Sequence, residues 1–218
     1  MNGAPRQTVG RFIAFEGGEG AGKSTQARLL AEALRARGLT VVVTREPGGT
    51  GGAEAIRSLL LDPPGEGWPP QAEALLFAAA RADHVMHLIR PALARGEWVV
   101  CDRFVDSSRA YQGGAGGLGD HAIIALHAFG SDGLRPDRVI LLEADEDALS
   151  DRVAARGETV DAIEGRPADY HRAVNAAFRA MAEADPQGFA RINAIGAPQD
   201  VHSRILSALG DLIGGAAA

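Results

Sequence analysis

Short unbroken apolar runs alternate along the chain with stretches whose apolar residues recur every three or four positions. The runs are RFIAFE (11–16), LTVVVTRE (39–46), EWVVCDRF (97–104) and DRVILLEAD (137–145), with a weaker fifth, FARINA (189–194). Runs this short, rich in β-branched and aromatic residues, are what strands buried on both faces of a parallel sheet look like. Between the first two, Ala27, Leu30, Ala31 and Leu34 follow helical spacing, and Gly38 closes the segment as a C-cap. GGAEAIRSLLLD (51–62) reads as a helix stopped by Pro63 and Pro64, and residues 69–93 as one long helix kinked near Pro91. QGGAGGLGD (112–120) reads as a glycine-rich loop. Further helices are expected over 121–129, 147–156, from the irregular segment 156–171 through Met181, and over 201–212. Strands alternating with helices predict an α/β fold, a five-stranded parallel sheet flanked by helices on both faces. No internal repeat is visible, and 218 residues suit a single domain over 1–218.

The first run ends in FEGGEGAGKST (15–25), where four glycines stand beside a lysine and two hydroxyls. Gly17, Gly22, Lys23 and Ser24 fit G-x-x-x-x-G-K-[ST], between an expected strand and an expected helix, which is the context that motif requires. Successive backbone N–H groups can then point inward around a phosphate, and side chains on the loop would block that approach. The loop Gly17, Gly18, Glu19, Gly20, Ala21, Gly22, Lys23, Ser24 and Thr25 is therefore the expected cradle for ATP. Lys23 should reach its outer phosphates, and the Ser24 hydroxyl should hold Mg²⁺. The second run ends in TREPGGT (44–50) and the third in CDRF (101–104). Strand C-terminal ends line the ligand crevice of such a sheet. Arg45 and Arg103 can meet a second phosphate there, and Asp102 can hold Mg²⁺ through water.

Composition narrows the choice further. The formal net charge is −6, which argues against nucleic acid as a partner while leaving room for a small phosphorylated ligand with a local positive site. The single cysteine, Cys101, rules out a disulfide framework and falls in an apolar run that makes it core. No apolar run nears the roughly 18 residues of a membrane span, and the first residues lack an apolar signal centre, so a cytoplasmic protein without a membrane partner is expected. His84 and His87 are spaced i,i+3 but have no third ligand nearby. A solvated or dimer-facing helix is the expectation for them rather than a metal site.

Four stretches in this order, FEGGEGAGKST, TREPGGT, LLFAAARADHV (75–85) and VVCDRFVDSSRAYQGG (99–114), resemble bacterial thymidylate kinase, and the resemblance runs from about Arg11 to His202. It implies a P-loop NTPase fold with a mobile lid, here about 154–172, usually as a homodimer. It also implies transfer of the ATP γ-phosphoryl group to dTMP, giving dTDP and ADP. Carried over by position, Glu19 approaches the deoxyribose 3′-hydroxyl, and Arg45 and Arg103 bind the dTMP phosphate. Phe77 stacks on thymine and Arg81 hydrogen-bonds its carbonyl edge, while Ser107, Ser108, Tyr111 and Gln112 complete the nucleoside pocket. Phe77 and Arg81 lie i,i+4, so one helix face can present both. Core packing is the other reading of Phe77. Lys23, Arg103 and a lid arginine, Arg156 before Arg166 and Arg172, are the expected catalytic set. The chain departs from the family pattern at Ala162, Ala173, Asn175 and Gly116, where arginines are usual, and at Glu143, where aspartate is usual. Two other readings compete: a deoxynucleoside kinase with Glu16 as base, and a P-loop ATPase acting as a switch.

Overall fold

The computed structural model describes residues 10–145, 149, 162–163 and 165–214. Strands β1 (Phe12–Glu16), β2 (Val41–Arg45), β3 (Trp98–Asp102), β4 (Arg138–Glu143) and β5 (Phe189–Asn193) lie on the five apolar runs. They form one sheet in the order β2-β3-β1-β4-β5, with every neighbouring pair parallel. Both faces are covered. Ile13, Phe15, Trp98, Val100, Ile140 and Leu142 point to one side, against Leu30 and Leu34 of α1 (Lys23–Arg35) and Val201 and Ile205 of α8 (Pro198–Ala208). Their alternate neighbours Phe12, Ala14, Val99 and Cys101 pack on the other side against Val85, Ile89, Phe104 and Val105. Val139 and Leu141 meet Val174 and Phe178 of α7 (Ala168–Ala184) there. The period-two division of a run that is apolar throughout is the reason these strands show no polar alternation.

The strand order positions the site. β1 is central, β3 is its neighbour on one side and β4 on the other, so the chain switches direction across the C-terminal end of β1. In register, Asp102 stands beside both Phe15 and Arg45. The loop after β1 and the ends of β2 and β3 thus share one level at the mouth of the crevice.

Several element boundaries differ from the expectation. The stretch 69–93 is not one helix kinked at Pro91. It runs as α3 (Pro70–His84), a wider π turn over Val85–Ile89, and α4 (Arg90–Ala94). The Arg90 N–H bonds the Val85 carbonyl, five residues back. Pro91 lacks an N–H and crowds the preceding turn, and the wide turn before it relieves that conflict without a break. The glycine-rich segment is helical in its first half: α5 (Val105–Ser108) continues as a π turn over Arg109–Ala115, before α6 (Asp120–Ser131). Glycine serves close packing here, since a Cβ on Gly114 would sit 3.0 Å from the Ala177 Cβ of α7. The last helix divides at Leu209, just before Gly210, a poor helix former, into α8 and α9 (Gly210–Gly214). α2 (Gly51–Leu61) ends one residue before Asp62, ahead of the two prolines as expected. The helix expected over 147–156 falls almost entirely outside the described residues, as do residues 154–161 of the expected lid, Arg156 included. No helix among the described residues is long and apolar enough to cross a membrane.

Candidate active site

The loop between β1 and α1 turns on Gly17, whose φ is +138° and whose absent Cβ would lie 2.4 Å from the Leu142 carbonyl oxygen. Only glycine fits that combination. Gly22 caps the N-terminus of α1, so the free N–H groups and positive end of the helix face the loop's concavity. Lys23 is buried, and its ammonium donates to the Gly17 and Gly18 carbonyl oxygens at 3.1 and 2.8 Å. Burial, with the Arg103 charge behind it, holds its pKa below the usual lysine value. Ser24 Oγ donates to Asp102 Oδ2 at 2.5 Å. A hydroxyl and a carboxylate at this spacing, on the rim of an anion cradle, are the hard oxygen donors that suit Mg²⁺.

A cavity of about 500 Å³ opens from this point. It is lined by Glu19, Lys23, Ser24, Arg45, Phe77, Arg81, Asp102, Arg103, Ser107, Ser108, Tyr111 and Gln112, together with Glu46, Pro47, Arg57, Leu61, Phe104 and Ile163. Every expected substrate residue and both expected metal ligands therefore meet in one space of ligand size. Gly17 and Gly18 instead back onto a small cleft beside Asn175 and Phe178. Phe77 is half-buried and belongs to none of the three core clusters, so the core-packing reading does not hold for it.

Arg103 takes the left-handed backbone at φ +69°, anchored by its N–H on the Phe15 carbonyl at 2.9 Å. Its guanidinium donates to Glu19 Oε1 at 2.5 Å and Ser107 Oγ at 3.1 Å, and lies 5.2 Å from the Tyr111 ring centre. Tyr111 donates to the same Glu19 oxygen at 2.8 Å. Burial alone would raise the Glu19 pKa, but Arg103, Lys23 and the Tyr111 hydroxyl outweigh it and bring it down to about 2. Glu19 is thus a fixed anion beside Lys23 and Arg103 in the loop. Arg45 reaches the cavity but is half exposed and paired with Glu54 at 3.0 Å, so it must leave that partner to meet a phosphate.

Arg81 is buried and held from several sides. Nε donates to Glu46 Oε2 at 2.7 Å, and Nη2 to Ser108 Oγ at 2.9 Å and weakly to the Phe104 carbonyl at 3.4 Å. Glu46 is itself buried between Arg81 and His84 Nδ1, at 3.0 Å, while His84 Nε2 meets Thr44 Oγ1 at 2.7 Å. This corrects the expectation for His84: it is fully buried rather than solvated or dimer-facing, because one turn beyond Arg81 the helix still faces the sheet end. His87 is exposed beside Asp83. Among the described residues no group of three or more His, Cys, Asp or Glu is placed to hold a metal ion. Glu46 lines the cavity and lies inside TREPGGT, but its place there is not legible in the sequence, because its partners Arg81 and His84 come from α3, 35 and 38 residues along the chain.

Glu16 is the other buried carboxylate. It accepts from the Phe104 and Ser107 N–H groups at 2.8 and 3.0 Å and from Ser107 Oγ at 2.6 Å, which ties β1 to the start of α5. Burial first, then the negative charge of Asp106, pushes its pKa up to about 7. It does not line the cavity, so the base that a deoxynucleoside kinase would require is not in position.

Of the expected lid arginines, Arg172 is exposed and does not line the cavity. Arg166 lies over the Tyr170 ring and is paired with Glu73 and the Tyr170 hydroxyl.

Comparison with known proteins gives the same picture. A family model described as thymidylate kinase matches residues 15–205. The thymidylate kinase of Rhizorhabdus wittichii is 58% identical over 94% of this chain and 99% of its own, and that of Rhodopseudomonas palustris strain TIE-1 is 50% identical over 94% and 90%. The crystal structure of thymidylate kinase from Ehrlichia chaffeensis superposes with a TM-score of 0.76 at 31% identity, covering 92% of this chain and 98% of that one. A phosphate cradle, a buried guanidinium and an aromatic face in one cavity, carried on a chain matched along nearly its whole length, place this protein in the thymidylate kinase family.

Proposed function

We infer that this thymidylate kinase takes its phosphoryl group from ATP, with Mg²⁺, and delivers it to the phosphate of dTMP, giving dTDP and ADP. The observation that carries the reading is one cavity that Lys23, Ser24, Asp102, Arg103, Phe77 and Arg81 all line. Lys23, Ser24 and Asp102 suit an ATP terminus, Phe77 and Arg81 a thymine ring, and Arg103 the acceptor phosphate.

The chemistry asks little covalent help from the protein. The second pKa of a phosphomonoester is near 6, so at neutral pH the acceptor is already a nucleophilic dianion and needs no general base. The obstacle is the approach of two anions, and the chain's cations offset it. Lys23 exchanges its bonds to the loop carbonyls for phosphate oxygens. Arg103, fixed by Glu19 and Ser107, holds the acceptor, and Arg45 turns from Glu54 to join it. Ser24 and Asp102 would hold Mg²⁺, which when bound neutralises charge on the donor phosphates. Arg156 is the proposed lid contribution to the transition state. Arg81 offers donors to the base carbonyl, which suits thymine and opposes the amino group of cytosine. The enzyme is further proposed to work as a homodimer.

The test is ADP formation across nucleoside monophosphates. ADP should appear with dTMP and, more weakly, with dUMP, which lacks one methyl worth about 10–200-fold. ADP released without any acceptor would favour the ATPase reading, and thymidine preferred over dTMP the nucleoside kinase.

A further inference from the structure

We propose that Glu73 is a positioning residue for base specificity: it fixes the Gln112 carboxamide so that the amide oxygen, and not the amide nitrogen, is the group left for the substrate base. The proposal rests on the reading of this cavity as the dTMP site. Glu73, Phe77 and Arg81 follow one another at i,i+4,i+8 and so form a stripe along one face of α3. Ser108 and Gln112, also four apart, lie opposite. Two cross-links close the stripe, Arg81 to Ser108 at 2.9 Å and Gln112 Nε2 to Glu73 Oε1 at 2.9 Å, and Phe77 sits between them in sequence. Gln112 lines the cavity and is 3% exposed.

The orientation of the amide follows from its partner. A carboxylate only accepts hydrogen bonds, so the NH₂ end of Gln112 must face Glu73. The second Glu73 oxygen is taken by Arg166, which leaves no reason for the carboxylate to turn away. Oε1 of Gln112 is consequently buried with no donor among the described residues. Buried acceptors are nearly always satisfied, and an orphan on a residue that lines a binding cavity calls for a ligand donor. On the thymine edge, the ring N3–H lies next to the carbonyl assigned to Arg81. Arg81 as donor and Gln112 Oε1 as acceptor match that edge atom for atom. Cytosine presents the reverse pattern, an amino donor beside an N3 acceptor. A Gln112 free to rotate by half a turn would serve cytosine N3 as well as thymine N3–H, and Glu73 forbids that rotation.

The experiment is a double-mutant cycle read on the ratio of kcat/KM for dTMP to kcat/KM for dCMP, with melting curves as the folding control. The parent is measured first, and failure of the parent to phosphorylate dTMP would overturn the functional reading itself. Glu73→Gln can donate as well as accept and so releases the amide; the ratio should fall by about tenfold or more. Glu73→Leu releases it by removing the acceptor and replaces the first variant if that one does not fold. Gln112→Leu should lower the ratio too, and the double variant should lie no lower than Gln112→Leu alone, because Glu73 acts through Gln112. Equal losses for dTMP and dCMP in the Glu73 variants, or additive losses in the double variant, would reduce Glu73 to a structural partner of Arg166 and overturn the proposal.

Discussion

Glu16 ends β1 and Lys23 opens α1, and both are buried ionisable groups, yet they do opposite things. Lys23 is held by carbonyl oxygens it can release, and in the proposed reaction its charge acts at the phosphates. Lys23→Met keeps the volume and removes the charge. Turnover should fall by about 10²-fold or more, as when one preorganised electrostatic contact is removed, with a melting temperature within a few degrees of the parent. Near-normal turnover would take the phosphate role from Lys23. Glu16 has no such exchange to make. Its folded pKa, about 7, lies above the ordinary carboxylate value of 4.5. Between those two values the folded state binds more protons than the unfolded one, so this group's contribution to stability improves as pH falls from about 7 to about 4.5 and is constant below that. Glu16→Gln keeps both backbone bonds at the oxygen, and the Ser107 hydroxyl can turn to accept from the new amide. The parent should therefore gain melting temperature relative to this variant as the buffer is taken from about pH 8 to pH 5. A flat difference would mean that the three donors on Glu16 cancel the cost of its burial.

At the level of elements, packing decides what local pattern cannot. Gly114 lies in a π turn against α7, with room for a Cβ only at 3.0 Å from Ala177. Gly114→Ala should cost about 1–3 kcal/mol through overpacking. At about 2–4 °C per kcal/mol in a chain of this size, the melting temperature drops by several degrees. The dTMP KM should rise, because Tyr111 and Gln112 are on the same turn. Adding Ala177→Gly should restore the KM and leave only the roughly 1 kcal/mol penalty of a helix-interior glycine. A KM that stays raised would place the defect elsewhere. The same contrast explains what the sequence revealed. The phosphate cradle was legible because all of its chemistry lies within eleven consecutive residues. Phe77 and Arg81 were legible through the family resemblance, and the one helical turn between them explains only why a single face can present both. The five strands were legible because two-sided burial removes polar positions. Glu46 was not, since its partner Arg81 is 35 residues away, nor was the clamp of Glu16 on Ser107, 91 residues away. The π turns depend on five-residue hydrogen bonds chosen by Pro91 and by contact with α7, and no periodicity announces them.

For the whole molecule, the outer surface carries a feature that the single chain does not use. Phe129 of α6 is 93% exposed, and Leu75 and Met86, on α3 and the turn after it, are 55% and 60% exposed. α3 and α6 pack side by side, and Gly130 of α6 stands close to Ala82 of α3, where a Cβ would fall 3.4 Å from the Ala82 Cβ. Val43, Leu59 and Ile195 are exposed elsewhere, but the three most exposed large apolar side chains lie on this pair of adjacent helices and the turn after α3. Exposed apolar residues scattered singly need no explanation, but several on neighbouring elements mark an association surface. In the homodimer proposed above, a two-fold arrangement would bring a second copy's pair of helices against this one, each helix pair meeting its own equivalent. The arrangement would also tie assembly to the pocket, because the opposite face of α3 carries Glu73, Phe77 and Arg81. Light scattering at micromolar concentration should give twice the chain mass. Phe129→Asp places a charge at the centre of that surface and should shift the protein to monomer. The melting temperature of the parent should rise with protein concentration, as it does when folding and association are linked, and that of the variant should not. A parent that scatters as a monomer at micromolar concentration, or a Phe129→Asp protein that remains dimeric, would remove this face from the assembly.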